Sequence, residues 1–434
     1  MSRPRSVFLT GATGFLGSHL TARLLLDGHR VKVLARSSKN TSAEDRVHQI
    51  LRDVGVGRFE NLTVLEGDIG LANLGLTAEL RKELISSIEE IWHCAASLSF
   101  QEEDRDQIFR MNVDGTVHVL DLVKMLPTHR LHHVSTAYIA GNRSGIALES
   151  EIDIGQKFKN PYEESKCRAE QIVADAYRTG RVKPSIYRPS IVIGDSKSGR
   201  ATHFHGVYAF IRALWTALER LRRRTTRTTV GAVREGQGRR PAASIREAQG
   251  RRPAASIREA QGRQPAASIT DRAAGLVNLP LRVLGVENQT LNFVPIDYVV
   301  DGMLEISRRE DSIGGTYHLT NPVPTKNGFW LPNICRILGV QGIRLVGESS
   351  FVKTPTSKLE ALFQKQMAFY YQYLQGEPRF DCRRVLEALK NTGIQCPQVT
   401  VEFISKMMGW YVDFLASQAA RAGLELNSDR ISLS

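Results

Sequence analysis

The sequence has few cysteines and no long apolar run. Its 434 residues include only five cysteines, which are widely spaced and form no C-x-x-C pair: Cys94, Cys167, Cys335, Cys382 and Cys396. An odd, sparse set excludes a disulfide scaffold and favours reduced thiols in the cytoplasm. No segment approaches the ~20 consecutive apolar residues of a membrane span, and Met1–Thr10 lacks the apolar stretch of a secretion signal. We therefore predict a cytoplasmic globular protein of two or three structural units.

Positive charge is concentrated in one segment. Lys and Arg number 58 against 45 Asp and Glu, a net charge of +13 that ordinarily indicates nucleic acid or an anionic membrane as partner. Residues 221–269 hold twelve arginines and three glutamates, and so carry nine of those thirteen charges. The rest of the chain has an ordinary charge balance.

Three near-identical 12-residue units fill residues 234–269 of this segment. Each unit contains proline and glycine, and its only large apolar residue is one isoleucine, so it cannot bury enough surface to offset the entropy of ordering. We predict a disordered or loosely helical insertion. Since the repeat lacks the aromatic residues that stack on single-stranded bases, we expect no specific binding of nucleic acid.

Short apolar or β-branched runs alternate with amphipathic stretches between residues 6 and 200. The runs are Val7–Thr10, Val31–Leu34, Leu62–Leu65, Glu90–His93, Leu131–Ser135 and Ser185–Arg188. Strands separated by helices imply right-handed crossovers and a parallel sheet covered on both faces. The pattern predicts an α/β fold with a Rossmann-like, doubly wound parallel sheet over residues 1–200, to which residues 290–322 contribute.

The remaining sequence predicts a smaller, mostly helical region for substrate. Residues 201–289 form a substrate-region segment that carries the repeat, and residues 323–434 form the C-terminal part. Residues 207–221 are amphipathic, a pattern that fits a core helix or a peripheral contact with an anionic membrane.

Four further elements are predicted in the C-terminal half. Leu291–Val300 indicates a strand that leads into a helix with Asp297 as its N-cap. Apolar residues at helical spacing predict helices over Lys358–Leu374 and Val399–Leu415. The aromatic residues of these two helices fit either core packing or a lipid-facing groove.

Gly11, Gly14 and Gly17 form a G-x-x-G-x-x-G motif between the first predicted strand and the first predicted helix. Such a turn lets the backbone approach a pyrophosphate at the positive end of the helix. We therefore predict a dinucleotide site at this loop. Other loop residues expected to contact the cofactor are Thr13, Phe15 and Leu16.

The end of the second predicted strand indicates which dinucleotide is bound. An acidic residue at this place would bind the ribose of NAD, but the sequence has Arg36. Because arginine can contact a 2′-phosphate, the predicted cofactor is NADPH. The alternative is that Arg36 is only a solvated surface charge.

Tyr162 and Lys166 lie four residues apart after Asn160-Pro161, which predicts one shared helix face. An ammonium beside a phenol favours ionisation and can hold ribose hydroxyls, so the pair suits proton transfer near neutral pH. The Y-x-x-x-K spacing also occurs by chance. Upstream, Ser135 and Thr136 end a predicted strand where a hydroxyl could hydrogen-bond a substrate carbonyl. The order of glycine loop, hydroxyl, tyrosine and lysine favours a catalytic site.

These motifs resemble the extended short-chain dehydrogenase/reductase superfamily over residues 6–199 and 292–321. Three segments are most similar to fatty acyl-CoA reductases and thioester reductase domains: His133-Val-Ser-Thr-Ala-Tyr, Asn160-Pro-Tyr and Val294-Pro-Ile-Asp-Tyr-Val. Further segments are similar to superfamily motifs: Gly67-Asp68, Cys94-Ala95-Ala96, Asn112-Val-Asp-Gly-Thr and Arg188-Pro189-Ser190.

The resemblance implies specific site residues. The catalytic hydroxyl would be Thr136, working with Tyr162 and Lys166. Asp68, with its neighbour Ile69, would lie at the adenine-contacting site. Ala95 would lie in the turn of small residues after the fourth strand, and Arg188 and Pro189 would flank the nicotinamide.

The resemblance also implies NADPH-dependent reduction of an acyl thioester, on coenzyme A or a carrier protein, to the aldehyde and possibly the alcohol. The arginine-rich repeat departs from the family pattern, and no carrier or adenylation domain precedes the reductase, so a free-standing enzyme is expected. The alternatives are a hydroxysteroid dehydrogenase, a nucleotide-sugar epimerase or dehydratase, or a non-catalytic NADP-sensing protein. His203 and His205 form an H-x-H pair without a third ligand nearby, so no metal site is predicted.

Overall fold

A computed structural model describes residues 3–204, 206–220, 276–351, 355 and 357–421. The arginine-rich repeat at 234–269 and His205 lie outside the described residues. All five cysteines lie within them and are free thiols.

The strands of the described residues are short, and those of the N-terminal half are the longest. In chain order they are β1 Ser6–Thr10, β2 Arg30–Ala35, β3 Leu62–Glu66, β4 Glu90–His93, β5 Arg130–Val134, β6 Ile146–Ala147, β7 Lys183–Tyr187, β8 Ile191–Ile193, β9 Val277–Asn278, β10 Arg282–Leu284, β11 Thr290–Leu291, β12 Phe293–Pro295, β13 Thr316–Tyr317, β14 Thr325–Lys326, β15 Val340–Gln341, β16 Arg344–Val346 and β17 Arg379–Phe380.

Helices connect these strands, and the longest of them lie at Pro161–Arg178, Lys358–Leu374 and Val401–Arg421. They are α1 Phe15–Leu26, α2 Ala43–Asp53, α3 Ala78–Ser87, α4 Arg105–Phe109, α5 Gly115–Val123, α6 Pro161–Arg178, α7 at residues 207–220, α8 Ile296–Ser307, α9 Asn327–Leu338, α10 Lys358–Leu374, α11 Arg383–Ala388 and α12 Val401–Arg421.

Seven strands form one parallel sheet in the order β3-β2-β1-β4-β5-β7-β13. Because β1 lies between β2 and β4, the chain changes direction across the sheet at β1. The loops after β1 and β4 therefore meet at the carboxyl edge, where such folds bind ligands. Apolar clusters cover both faces of the sheet. The predicted Rossmann-like, doubly wound fold is confirmed.

A second core forms where α7, α9, α10 and α12 pack together. Its members include Ile211 and Leu214 of α7, Trp330 of α9, Phe363 of α10 and Tyr411 of α12, all buried. The amphipathic stretch beginning at residue 207 is therefore a core helix, and its apolar face is not free for a membrane surface. Within the described ranges, no helix combines the length and apolarity needed to cross a bilayer.

The predicted N-cap of α8 is wrong. The cap position is Pro295, and Asp297 lies inside the first turn of the helix. The carboxylate of Asp297 instead accepts a hydrogen bond from the main-chain N–H of Ser196, at 2.9 Å. Asp297 therefore ties α8 to the loop that follows β8, a partner about one hundred residues earlier in sequence.

Candidate functional site

The elbow between β1 and α1 is shaped for close approach of backbone. Gly11 has a φ of +85°, and a Cβ there would lie 2.6 Å from the main-chain nitrogen of Ala95. A Cβ on Gly17 would lie 2.0 Å from the carbonyl oxygen of Gly11. Gly14 is the N-cap of α1 and has no side chain to occupy the amides of the first turn. This uncapped helix end fits a pyrophosphate. Ala95, an expected cofactor contact, lies beside Gly11 at the same elbow.

The other predicted loop residues, Thr13, Phe15 and Leu16, are half-buried at the start of α1. The ring of Phe15 lies 5.4 Å from that of His19 in an edge-to-face arrangement. Leu16 packs against the apolar cluster of the sheet. The side chains of Phe15 and Leu16 therefore pack within the protein and support the elbow. The main chain of the elbow is what remains to bind a cofactor.

Arg36 and Asp68 face each other across the ends of β2 and β3. Nη1 of Arg36 lies 3.3 Å from Oδ2 of Asp68, with the two side chains 57% and 27% exposed. The main-chain oxygen of Arg36 accepts a hydrogen bond from Arg46. Ile69, by contrast, is buried, and its carbonyl accepts a hydrogen bond from Nδ1 of His118 at 2.8 Å. An accessible cation thus lies at the carboxyl edge of the sheet, as the cofactor prediction requires.

Helix α6 begins in a way that fixes the position of Tyr162. Asn160 caps the helix by accepting a hydrogen bond from the main-chain N–H of Glu163 at 3.0 Å, and Pro161 occupies the first helical position. Tyr162 therefore lies in the first turn. Its half-buried ring lies 5.7 Å from that of Phe100.

Thr136 lies at the end of β5, where the chain enters a short 3-10 turn. Its Oγ1 accepts a hydrogen bond from the main-chain N–H of Tyr138 at 3.2 Å and donates to the carbonyl of Pro189 at 3.4 Å. The phenol of Tyr162 lies near Thr136, close enough for the threonine side chain to lower its pKa. The neighbouring Ser135 hydroxyl is buried and has no partner among the described residues. The structure thus brings together the two predicted catalytic hydroxyls.

Burial controls the protonation of Tyr162 and Lys166. It raises the pKa of Tyr162, and the nearby side chain of Thr136 opposes that rise. It lowers the pKa of Lys166 to about 8, against the influence of Glu170. Nζ of Lys166 donates to the carbonyl of Val134 at 2.7 Å. The depressed phenol pKa expected from the sequence is therefore not found, because desolvation is the largest influence on the tyrosine.

Arg188 is buried, and every guanidinium N–H has a protein partner. Nε donates to Glu170 at 3.0 Å, and Nη2 donates to Glu170 and to the carbonyl of Glu151. Nη1 contacts the carbonyl of Glu149 at 3.4 Å and Nε2 of His318 at 3.1 Å. The side chain of Arg188 therefore has a structural role, because its hydrogen bonds all go to protein groups. Only the main chain around this position remains for the predicted cofactor contact.

Asn112 is a polar residue whose role the sequence motif did not reveal. It lies in a π-helical turn, Arg110–Asp114, between α4 and α5. Its side chain exchanges hydrogen bonds with the main chain of Ser97, at 2.7 and 3.1 Å, and donates to the hydroxyl of Ser165 at 2.9 Å. Asn112 thereby ties the loop after β4 to α6, beside Lys166. π-Turns of this kind are frequent at functional sites.

Comparisons with known proteins agree with this arrangement. Residues 9–229 match the NAD-binding family described as male sterility protein. Fatty acyl-CoA reductase 1 of Gallus gallus is 30% identical over 226 residues, which cover 43% of each chain. The nonribosomal peptide synthetase asaC of Aspergillus flavus is 31% identical over 208 residues, which cover 45% of this chain and 20% of that protein. The chain therefore spans less than half the length of these curated relatives.

Solved structures share the fold. The terminal R domain from the myxalamid PKS-NRPS biosynthetic pathway has a TM-score of 0.67 at 24% identity, covering 98% of this chain and 93% of that one. UDP-glucuronic acid 4-epimerase from Bacillus cereus, in complex with NAD, has a TM-score of 0.59 at 15% identity, covering 96% and 99%.

The matched family region takes in the glycine elbow, both hydroxyls and the lysine. The chain therefore belongs to the NAD-binding family described as male sterility protein.

Proposed function

We propose that this chain is an NADPH-dependent reductase of acyl thioesters, carried on coenzyme A or on a carrier protein. The observation that carries the proposal is the placement of Thr136 near Tyr162, with Lys166 one turn further along α6. Similarity to fatty acyl-CoA reductases supports a thioester as substrate.

The two hydroxyls would act on the oxygen of the thioester carbonyl. Thr136 donates to Pro189 over a long 3.4 Å contact, so its hydroxyl can turn to a substrate oxygen at little cost. Tyr162, whose pKa is raised by burial, holds its proton and can donate it to the same oxygen. When bound, NADPH supplies the hydride for the carbonyl carbon.

The first product of the reaction is an aldehyde, because the C–S bond of the thioester breaks after hydride transfer. Protonation at oxygen gives a hemithioacetal, and cleavage of its C–S bond releases an aldehyde and a thiol. Reduction of that aldehyde to the alcohol would need a second hydride from NADPH, with the same two hydroxyls bound to the aldehyde oxygen.

Arg36 supports NADPH as the cofactor. Its exposed guanidinium lies where β2 ends, beside the predicted adenine-contacting Asp68. The acid expected of an NAD site is not at the end of β2, and an arginine there can bind a 2′-phosphate.

Substitution of Tyr162 tests the proposed acid. Tyr162→Phe removes the proton donor, so reduction of an acyl-CoA should fall by about two to four orders of magnitude while NADPH affinity is retained. The matched control is Tyr177→Phe, which removes the hydroxyl of an exposed tyrosine at the other end of α6. Reduction that survives in Tyr162→Phe would show that another group donates the proton.

The fold likeness to a UDP-glucuronic acid epimerase favours a nucleotide-sugar enzyme as a second candidate, alongside a hydroxysteroid dehydrogenase. NADPH consumption with acyl-CoAs or acyl carriers would support the reductase. A hydroxysteroid dehydrogenase would instead reduce NADP+ with a sterol, and an epimerase or dehydratase would convert a nucleotide sugar without net consumption of cofactor. A sensing protein would bind NADPH and convert none of these substrates, yet such a protein has no need of Thr136, Tyr162 and Lys166.

A further inference from the structure

Two tyrosine–glutamate contacts join residues 373–377, the end of α10 and the turn after it, to the two turns that carry the catalytic hydroxyls. The contacts are reciprocal. In one, the tyrosine lies near the catalytic threonine and the glutamate lies in the C-terminal segment. In the other, the tyrosine lies in the C-terminal segment and the glutamate adjoins the catalytic tyrosine.

The first contact fixes the turn after Thr136. The hydroxyl of Tyr138 donates to Oε2 of Glu377 at 2.6 Å. Tyr138 is buried, and its main-chain N–H is the group that donates to Oγ1 of Thr136. The side chain of Tyr138 is thus held from the C-terminal half while its main chain orients the threonine hydroxyl.

The second contact fixes the first turn of α6. The hydroxyl of Tyr373 donates to Oε1 of Glu163 at 2.7 Å and accepts from Nδ2 of Asn160 at 2.7 Å. Asn160 is the N-cap of α6, and Glu163 is the residue after Tyr162. Glu163 is fully buried, so leaving its carboxyl without this partner would be costly.

Other contacts fasten the same segment. Nζ of Lys159 donates to the carbonyl of Gly376 at 3.2 Å and lies 4.6 Å from the ring centre of Tyr373. The rings of Tyr138 and Tyr373 meet edge to face at 5.3 Å, so the two contacts form one connected cluster. Beyond the segment, β17 pairs with β6 and holds it in register.

We propose that residues 373–377 are a positioning element that aligns the hydroxyls of Thr136 and Tyr162 for catalysis. The inference deepens the proposed reductase function and rests on it. Both hydroxyls must meet one substrate oxygen, so a small displacement of either lowers the rate of the chemical step without weakening the cofactor site. Neither Tyr138 nor Tyr373 needs to touch the substrate to act in this way.

Two hydroxyl deletions test the proposal. Tyr138→Phe and Tyr373→Phe each keep the ring and remove one contact, and each should lower kcat by about tenfold with the KM for NADPH unchanged. The matched control is Tyr411→Phe, because that hydroxyl accepts a hydrogen bond from Nε of Arg212 between α7 and α12, away from both catalytic turns. It should leave kcat unchanged.

Substitutions of Glu377, which accepts the hydrogen bond from Tyr138, test whether kcat can be recovered. Glu377→Ala should lower kcat as Tyr138→Phe does, and Glu377→Gln, which keeps an acceptor oxygen, should recover part of the loss. The double variant Tyr138→Phe/Glu377→Ala should be no slower than either single variant, because both remove the same contact. Additive losses would show that the two residues act independently and would overturn the proposal.

Hydrogen exchange gives a readout that does not depend on turnover. Tyr138→Phe should speed exchange of the amides in residues 136–141, and Tyr373→Phe should speed it in residues 160–166. If wild type reduces no thioester, the proposed function fails, and exchange still decides whether the segment orders these turns. Unchanged exchange, or unchanged kcat in both tyrosine variants of an active enzyme, would refute the positioning role.

Discussion

Arg36 offers a direct test of cofactor preference. Substitution by alanine removes a guanidinium that is 57% exposed at the end of β2, with Nη1 3.3 Å from Oδ2 of Asp68. At that exposure an ion pair contributes at most about 1 kcal/mol, so the guanidinium can leave Asp68 for a phosphate at small cost.

The size of the effect follows from these two contacts. A hydrogen bond between charged partners such as arginine and phosphate contributes about 1.5–3 kcal/mol, and part of this is offset by the lost contact with Asp68. The difference is about 1–2 kcal/mol, which is roughly a 5–30-fold change in Kd. We expect Arg36→Ala to weaken NADPH binding by that factor and to leave NADH binding nearly unchanged, because NADH has no 2′-phosphate.

Isothermal titration calorimetry with both cofactors, at low and high salt, measures this difference. The control is Arg52→Ala, which removes an equal charge from an exposed arginine of α2 that lies over the ring of Phe59 at 5.6 Å. Added salt should reduce the preference of wild type for NADPH. Equal losses for NADPH and NADH in Arg36→Ala, or tighter binding of NADH by wild type, would refute the assignment.

Three further predictions follow from the same site. The kcat/KM for thioester reduction should fall as pH rises through about 8, where Lys166 loses its proton, and Lys166→Arg should move that fall to higher pH. Gly17→Ala, which would place a methyl 2.0 Å from the carbonyl oxygen of Gly11, should abolish NADPH binding in a calorimetric titration. Glu170→Gln leaves the buried Arg188 without its counter-charge and should lower the free energy of unfolding in urea by about 3–5 kcal/mol; a loss under about 1 kcal/mol would contradict that role.

The fold could be predicted from the sequence because its signals are local. Six of the seven strands of the sheet, all but β13, coincide with the short apolar runs of the sequence, and the glycine elbow depends on a residue type that only a tight approach requires. Lys358–Leu374 was predicted as a helix from its apolar spacing and begins and ends at those residues. Tyr162 and Lys166 are one helical turn apart, so their shared face also follows from spacing alone.

Contacts between distant parts of the chain could not be predicted in this way. The partners of Arg188 lie 18 to 130 residues away, so nothing near it in sequence indicates that its side chain is held by buried protein partners. Asp297 resembled an N-cap because the local pattern fits, yet its partner Ser196 lies 101 residues earlier. The contact between Tyr138 and Glu377 spans 239 residues. Periodicity carries no information about such pairs, which depend on how the two halves pack.

One physical cause, burial, shifts the two titrating groups of the site in opposite directions. It raises the pKa of Tyr162, so the phenol stays protonated throughout the range in which enzymes are assayed. It lowers the pKa of Lys166 to about 8, so the ammonium is lost within that range. The proton donor is therefore ready at neutral pH, while the neighbouring cation depends on conditions. A loss of activity at alkaline pH would thus report the lysine and not the tyrosine, which is why Lys166→Arg should shift it.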